Sequence, residues 1–263
     1  MSASREQTLT GKVALITGAS QGVGRTIATT YAAHGATVIL AARKLASLET
    51  VAAEIATAGG QAHALACDVT DLAQVAALAA AASEIGPVDI LVNNAGMAGS
   101  HKFITHPDDL WMQIIEVNLN AVYRVTKAFA PQMVARRWGR IITIASIASR
   151  VGNRYMAAYT ASKHGVLGLT RALAVELNPS NITVNAICPG YIDTPMTHAT
   201  IDNMVQQTGR SAEEARAYLE QLSPQSRLIE PEEVANVALM LASEAARGIT
   251  GQAINIDGGM VMS

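Results

Sequence analysis

Short apolar runs rich in β-branched residues alternate along the whole chain with Ala-rich stretches of helical periodicity, and this alternation leaves few folds open. The strand-like runs cover residues 13–17, 37–40, 61–66, 90–93, 140–145, 183–187 and 253–256. Helical patterns fill most of the gaps, at 22–34, 44–58, 71–85, 107–136, 157–178 and 231–242. Strands that alternate with helices build a parallel sheet, because each crossover must return the chain to the same edge and pack on a face. The runs read as continuously apolar rather than alternating, the pattern of strands buried on both faces. The expected fold is α/β: a doubly wound sheet of about seven mainly parallel strands with helices on both faces. No repeat, low-complexity linker or domain boundary interrupts the 263 residues. A single domain of that length buries a large core.

One segment breaks the rhythm. Residues 191–224 are polar and Met-bearing, with two short helical patterns at 197–207 and 211–222. Ser211-Ala212-Glu213-Glu214 reads as a helix N-cap followed by acidic first-turn residues. The segment follows the sixth strand at the carboxyl edge of the sheet, where a helical lid would cover a substrate. A purely structural insertion is the alternative.

Composition narrows the function classes. The formal net charge is −2, and the cations are scattered rather than run together. That leaves no basic field for nucleic acid. No apolar stretch reaches the ~18–20 residues that a membrane helix needs. The start, Met1 to Lys12, is polar and lacks an apolar signal-peptide core. Cys67 and Cys188 end apolar runs and read as small buried thiols. None of the six histidines has metal-ligand spacing, so no metal site is expected. A soluble cytoplasmic protein is the expectation.

Thr17-Gly18-Ala19-Ser20-Gln21-Gly22-Val23-Gly24 follows the first strand and opens the first helix. Its glycines permit a tight turn and close backbone approach, and the helix N-terminus presents free N–H groups to a pyrophosphate. The spacing is G-x-x-x-G-x-G, which differs from the G-x-G-x-x-G dinucleotide fingerprint. The second strand ends Ala41-Ala42-Arg43-Lys44, with no acid until Glu49. A carboxylate there would suit the ribose hydroxyls of NAD and repel a 2′-phosphate; Arg43 would bind that phosphate. NADP is therefore expected over NAD. Asp68-Val69 and Asn93-Asn94-Ala95-Gly96 close the third and fourth strands, where both ends face the cofactor crevice. Asp68 would accept from an adenine amino group or cap the next helix. The Asn pair would hydrogen-bond backbone near the nicotinamide ribose or end the strand.

Tyr159 and Lys163 stand four residues apart on a helical pattern, so their side chains share a face. A lysine cation beside a phenol favours the phenolate and is expected to lower its pKa by roughly 1–3 units, which suits acid/base chemistry. Ser146 precedes them by a short loop.

Taken in order, the Thr17–Gly24 loop, Asp68-Val69, Asn93–Gly96, Asn118, Ser146, Tyr159-x-x-x-Lys163 and Pro189-Gly190 with Thr194 resemble the short-chain dehydrogenase/reductase family. The resemblance runs from about Gly11 to the end. It implies a Rossmann-type domain with a nicotinamide cofactor, usually a tetramer, and a tetrad of Asn118, Ser146, Tyr159 and Lys163. Tyr159 would exchange a proton with the substrate oxygen, and Ser146 would hydrogen-bond that oxygen. Lys163 would also hold the nicotinamide ribose, and Asn118 would support a bridging water to Lys163. Pro189, Gly190, Ile192, Thr194 and Met196 would line the nicotinamide and pyrophosphate.

The expected substrate walls are Met97, Ala98, Ile147, Asn153, Met156 and Tyr191, with Arg150 and Arg154 nearby and Met196 and Met204 in the lid. They are mainly apolar and suit a ketone or secondary alcohol with a hydrophobic body. The pattern resembles 3-oxoacyl thioester reductases and related ketoreductases. Carrier-protein reductases of this kind often place an arginine just before the sixth strand, where this chain has Ser180-Asn181. That departure disfavours an acyl carrier protein, although Arg136-Arg137 matches a second docking position, and it leaves acyl-CoA or free ketones. The 208–214 stretch is also similar to 3-hydroxybutyrate dehydrogenases, which mostly use NAD and so conflict with Arg43. An NAD-dependent catabolic hydroxy-acid or alcohol dehydrogenase is the alternative enzyme. An NADP-binding regulator is the alternative outside catalysis.

Overall fold

A computed structural model describes residues 8–262; Met1 to Gln7, most of the polar start discussed above, and Ser263 lie outside the described residues. The strands are β1 (Val13–Thr17), β2 (Thr37–Ala42), β3 (Gln61–Ala66), β4 (Ile90–Asn93), β5 (Gly139–Ile144), β6 (Ile182–Pro189) and β7 (Ala253–Ile256). They form one sheet in the order β3-β2-β1-β4-β5-β6-β7. Every pairing is parallel, so the sheet is wholly rather than mainly parallel. The chain winds outward from β1 to β3, returns to β4 beside β1, and winds the other way. The reversal between β1 and β4 opens a crevice at the carboxyl edge of the sheet, where ligands bind in such folds.

The helices are α1 (Gly22–Ala33), α2 (Leu45–Thr57), α3 (Leu72–Ile85), α4 (Asp108–Ile115), α5 (Ala121–Arg136), α6 (Ala157–Leu177), α7 (Pro195–Thr208), α8 (Ala212–Gln221) and α9 (Pro231–Ala242). The strand pleat sends successive residues to opposite faces. Ala14, Ile16, Val38 and Leu40 join a core with α1, α2 and α9, through Ile27, Leu48 and Leu241. Leu15, Ile39 and Ala41 face a second core built from α3, α5 and α6, through Leu78, Phe129 and Leu177. Burial on both faces explains the continuous apolar runs. β3 departs from that expectation. It is an edge strand with Gln61 and His63 exposed, because only one neighbour and less helix cover it.

The helical pattern at 107–136 is not one helix. A π-turn at Glu116–Asn120 separates α4 from α5. The backbone stays in the α region at the junction (Glu116 φ −61°, ψ −48°), and no Gly or Pro marks the change. The lid segment forms α7 and α8 around Ile201, Ala215, Leu219 and Leu228, a small apolar cluster of its own. Met204 packs against this cluster, as Tyr191 does, and is partly buried. Ser211 and Glu214 form a reciprocal capping box that starts α8. Among the described residues, no helix is long and apolar enough to cross a membrane, and no group of three or more His, Cys, Asp or Glu could hold a metal ion.

Candidate active site

The glycine turn is built around Asn94. Its Nδ2 donates to the Thr17 and Gly18 carbonyls at 3.0 and 3.1 Å, stapling the end of β4 to the turn after β1. Thr17 Oγ1 accepts from the Asn94 and Ala95 N–H groups. Gly18 has a φ of +67°, and a Cβ there would fall 2.9 Å from Ala95 Cα. At Gly24 a Cβ would fall 2.4 Å from Asn94 Nδ2 and 2.5 Å from the Gly18 carbonyl. Both positions exclude a side chain, for conformation in the first case and for space in both. Of the Asn pair, Asn94 is thus a staple for the turn, while Asn93 donates to Thr126 Oγ1 in the core.

The turn fits a pyrophosphate. No side chain caps the α1 N-terminus, whose Ncap residue is Gln21, so the first-turn N–H groups remain available as donors. Ser20, Gln21 and Val23 sit at this turn, and Thr194 packs beside it: a Cβ on Gly22 would lie 3.4 Å from Thr194 Cγ2. Thr194 heads α7, with Met196 half-exposed in its first turn. Ile192 bridges to Ile229, and the Asp193 N–H and Ile229 N–H bonds hold the strand-like stretch before the lid. Gly190, after Pro189 at the end of β6, packs against Asp257 and Met260.

At the far end of the turn, Arg43 and Lys44 are exposed. Neither has a hydrogen bond or ion pair among the described residues. Asp68 is close enough to Arg43 for the guanidinium to help depress its carboxyl pKa; hydrogen bonds from Thr70 are the larger cause. Asp68 does not cap α3. That role falls to Asp71, which accepts from the Ala73 and Gln74 N–H groups. The cap lies three residues later because the chain first makes the Asp68–Thr70 turn. The Val69 side chain points into the core, so only its backbone is free to meet a ligand.

The tetrad converges across the crevice. Asn118 lies fully buried in the π-turn. Its Oδ1 accepts from Met97 N at 2.8 Å, and its Nδ2 donates to Met97 O at 2.9 Å and Ser162 Oγ at 3.3 Å. The side chain is therefore held by the loop after β4 and by Ser162 of α6, with a second lone pair on Oδ1 left to accept. A Cβ on Gly96 would stand 3.3 Å from Asn118 Oδ1 and 3.8 Å from Lys163 Nζ, so these three residues are in close contact. Ser146 follows β5 and caps a short turn at Ile147–Ser149, with Ala148 N donating to its Oγ at 3.1 Å.

Tyr159 and Lys163 share one face of α6, as their spacing predicts, but the electrostatic expectation is overturned. Burial raises the Tyr159 pKa above the ordinary phenol value, and a hydrogen bond with Ser146 opposes this in part. Lys163 does not lower it. Its Nζ is 5.7 Å from the phenol ring centroid and donates to the Ile144 carbonyl at 2.9 Å. Lys163 is itself buried, and burial brings its pKa down to about 8. The phenol is thus protonated at neutral pH, the state that donates a proton.

The expected substrate walls separate into three groups. Met97, Ala98, Met156 and Tyr191 are partly exposed around the crevice, whereas Ile147 is buried in the turn after Ser146. Asn153 lines a groove of about 940 Å³ between the His101–Thr105 loop, the 152–155 loop and the 157–164 part of α6. Arg150 is not beside the substrate: it turns back to β7, donating to the Ala253 carbonyl. A link absent from the expectations joins lid to loop, where Asn203 Nδ2 donates to Ser100 Oγ at 3.3 Å. Its sequence signal, an Asn within a helical pattern, is too common to single out.

A wholly parallel sheet with this strand order, and with a protonated tyrosine beside its reversal point, is that of a Rossmann-type oxidoreductase. The short chain dehydrogenase profile matches residues 12–205, and the chain belongs to the short-chain dehydrogenase/reductase family. A putative ketoacyl reductase of Streptomyces coelicolor is 41% identical over 252 residues, covering 95% of this chain and 97% of the relative. The 3-oxoacyl-(acyl-carrier-protein) reductase FabG of Escherichia coli is 40% identical over 253 residues, covering 96% and 98%. A crystal structure of an actinorhodin polyketide ketoreductase variant with NADPH superimposes with a TM-score of 0.92 at 40% identity, covering 95% of this chain and 97% of that one.

Proposed function

We propose that this protein is an NADP(H)-dependent ketoreductase acting on a hydrophobic ketone or 3-oxoacyl thioester. The observation that carries the reading is the placing of a protonated Tyr159 against Ser146, beside buried Lys163 and across the crevice from the glycine turn. Bound NADPH would supply the hydride. The α1 N-terminus, Ser20 to Gly24, Gly96, Gly190 and Thr194 would hold its pyrophosphate and nicotinamide ribose region, and Arg43 with Lys44 would take the 2′-phosphate. The relatives named as ketoacyl reductases and the neighbour that holds NADPH support this choice of cofactor and substrate class.

Each residue then has a defined task. Tyr159 gives its proton to the carbonyl oxygen and accepts it back in the oxidation direction. Ser146 uses its hydroxyl proton to stabilise the same oxygen, while its lone pair stays engaged by Ala148 N–H. Lys163, held by the Ile144 carbonyl, would present its remaining N–H donors to the nicotinamide ribose. Asn118 acts through Met97, fixing the loop that forms one wall. The lid, residues 191–224, would close over the crevice and carry Tyr191 and Met196 with it, as a part of the same domain.

The helix faces also suggest self-association. Phe103, Ile104, Met112, Tyr123 and Val175 are exposed on or beside α4, α5 and α6, and a homotetramer would cover them. Sedimentation tests this; a monomer at micromolar concentration defeats it. Localisation in the cytoplasm belongs to the same reading.

The primary test is NADPH and NADH oxidation, side by side, against acetoacetyl-CoA, ethyl acetoacetate and bulky aryl and cyclic ketones. Turnover with strong NADPH preference supports the proposal. NADH preference moves it to a catabolic hydroxy-acid or alcohol dehydrogenase. NADPH binding without turnover of any ketone or alcohol favours the regulator.

A further inference from the structure

Ser146 lies just beyond the last support of its sheet. The β5–β6 register ends at Ile144↔Ile187, and Ala145 N makes one more bond, to the Ile187 carbonyl at 2.7 Å. From Ser146 onward the chain leaves the ladder and enters the short turn Ile147–Ser149, closed by Ser149 N to Ser146 O and Arg150 N to Ile147 O. A turn this small has few bonds to hold it. If it rocked by an ångström, Ser146 Oγ would lose its geometry against Tyr159.

Arg150 braces it. The guanidinium Nη2 donates to the Ala253 carbonyl at 2.6 Å, and Nε donates to Asn255 Oδ1 at 3.3 Å. Both partners are on β7, two strands away from β5. Asn255 is paired in register with Cys188 of β6. The Cys188 thiol is fully buried beside them; burial pushes its pKa up, and the nearby Arg150 and Ser146 N–H oppose this in part. Asn255 Nδ2 also donates to the Val261 carbonyl, which fixes the acceptor that Arg150 uses. A planar fork with five donors holds a backbone carbonyl and a side-chain amide together in a fixed geometry, which the rotatable ammonium of a lysine does not set.

We infer that Arg150 is a positioning residue for Ser146: it ties the turn that carries the serine hydroxyl to β7 across the buried edge of β6. The inference rests on the ketoreductase reading for its kinetic consequence, but its structural consequence is independent of it. Arg150 contacts neither the reacting oxygen nor the glycine turn, so its loss acts on kcat through Ser146 and leaves cofactor binding alone.

The experiment is a pair of measurements on Arg150→Met, Arg150→Lys, Ser146→Ala and the Arg150→Met/Ser146→Ala double variant, each full length. The first is amide hydrogen exchange at Ala148, whose N–H bonds to Ser146 Oγ. Arg150→Met should lower protection there at least tenfold while protection in β1 and β4 is unchanged, and Arg150→Lys should restore part of it. Unchanged protection at Ala148 overturns the inference whatever the enzyme turns over. The second is kinetics. Arg150→Met should reduce kcat by about 10–100-fold with the NADPH KM within twofold, and should cost nothing further once Ser146 is alanine, because residues acting as one unit are non-additive. An equal loss in both backgrounds means that Arg150 acts on the fold in general, and the inference fails. Absence of turnover in the wild type would sink the ketoreductase reading and leave the exchange result to decide for Arg150.

Discussion

At the Tyr159 end of the crevice nearly every polar side chain has a protein partner; at the Arg43 end the two cations have no hydrogen bond or ion pair among the described residues. Asn118 is locked to Met97 and Ser162, Ser146 is held by Ala148, and Lys163 by Ile144. Arg43 and Lys44 extend from the end of β2 into solvent. The difference follows from what each end must do. Proton transfer needs groups held in place before the substrate arrives, since misplacement by an ångström costs rate. A phosphate carries its own charge and acceptors, so a long cation can find it after the cofactor docks.

The largest expected effect is at the ordered end. Tyr159→Phe should lower kcat by roughly 10³–10⁴-fold, the scale of lost general-acid catalysis, with unchanged Tm. Loss of less than tenfold by steady-state assay would remove the tyrosine from the chemistry and end the contrast. Next comes Arg43→Glu at the open end. Replacing a charge-assisted bond by repulsion should shift the NADPH/NADH ratio of kcat/KM towards NADH by about 10–100-fold, from roughly 1.5–3 kcal/mol. An unaltered ratio would mean that the 2′-phosphate is read elsewhere.

Lys163→Met separates order from stability. The buried ammonium has a folded pKa of about 8 against an ordinary 10.5, which costs about 3 kcal/mol below pH 8. The unfolded chain binds the extra proton between those values, so this cost fades and stability from this group rises as pH climbs from 8 to 10.5. The methionine variant should lose activity yet melt a few degrees higher at pH 7, after allowing about 1 kcal/mol for the lost bond to Ile144. That gain should vanish towards pH 10.5, as followed by thermal denaturation across pH. A gain that stays constant with pH would contradict the assignment. The smallest effect is Asp71→Ala, which removes the α3 cap near the open end. It should lower the midpoint of chemical denaturation slightly and leave both kinetic constants as they were.

The sheet was readable from the sequence because a strand buried on both faces has an unbroken apolar run, and β1, β3, β4 and β7 start and end where those runs do. β3 was found by its position in the alternation more than by its burial. The tetrad residues were readable as a set, since spacing on a helix and order along the chain are local properties. Three features were not. The π-turn leaves no mark in residue types, because its dihedrals match those of a helix. The turning of Lys163 to Ile144, and of Arg150 to β7, depends on acceptors 19 and more than 100 residues away. Electrostatics has the same origin: charge proximity is legible at Tyr159, whereas burial, which dominates there, is a property of the assembled fold.

The π-turn at Glu116–Asn120 also makes this part of the chain a counting device. An α-helix advances about 100° per residue, so deleting one residue between Glu116 and Asn120 would give a regular helix that keeps its apolar stripe and folds well. The bulge itself, however, would be lost, and with it the position from which Asn118 holds Met97. Length is therefore specified to the single residue here, although nothing in the local composition demands it. Elsewhere, as at the exposed 57–59 turn after α2, one residue more or fewer would change little. Sequences that align here without a gap share a geometry, and a one-residue gap would signal a rebuilt active site even where all four tetrad residues persist.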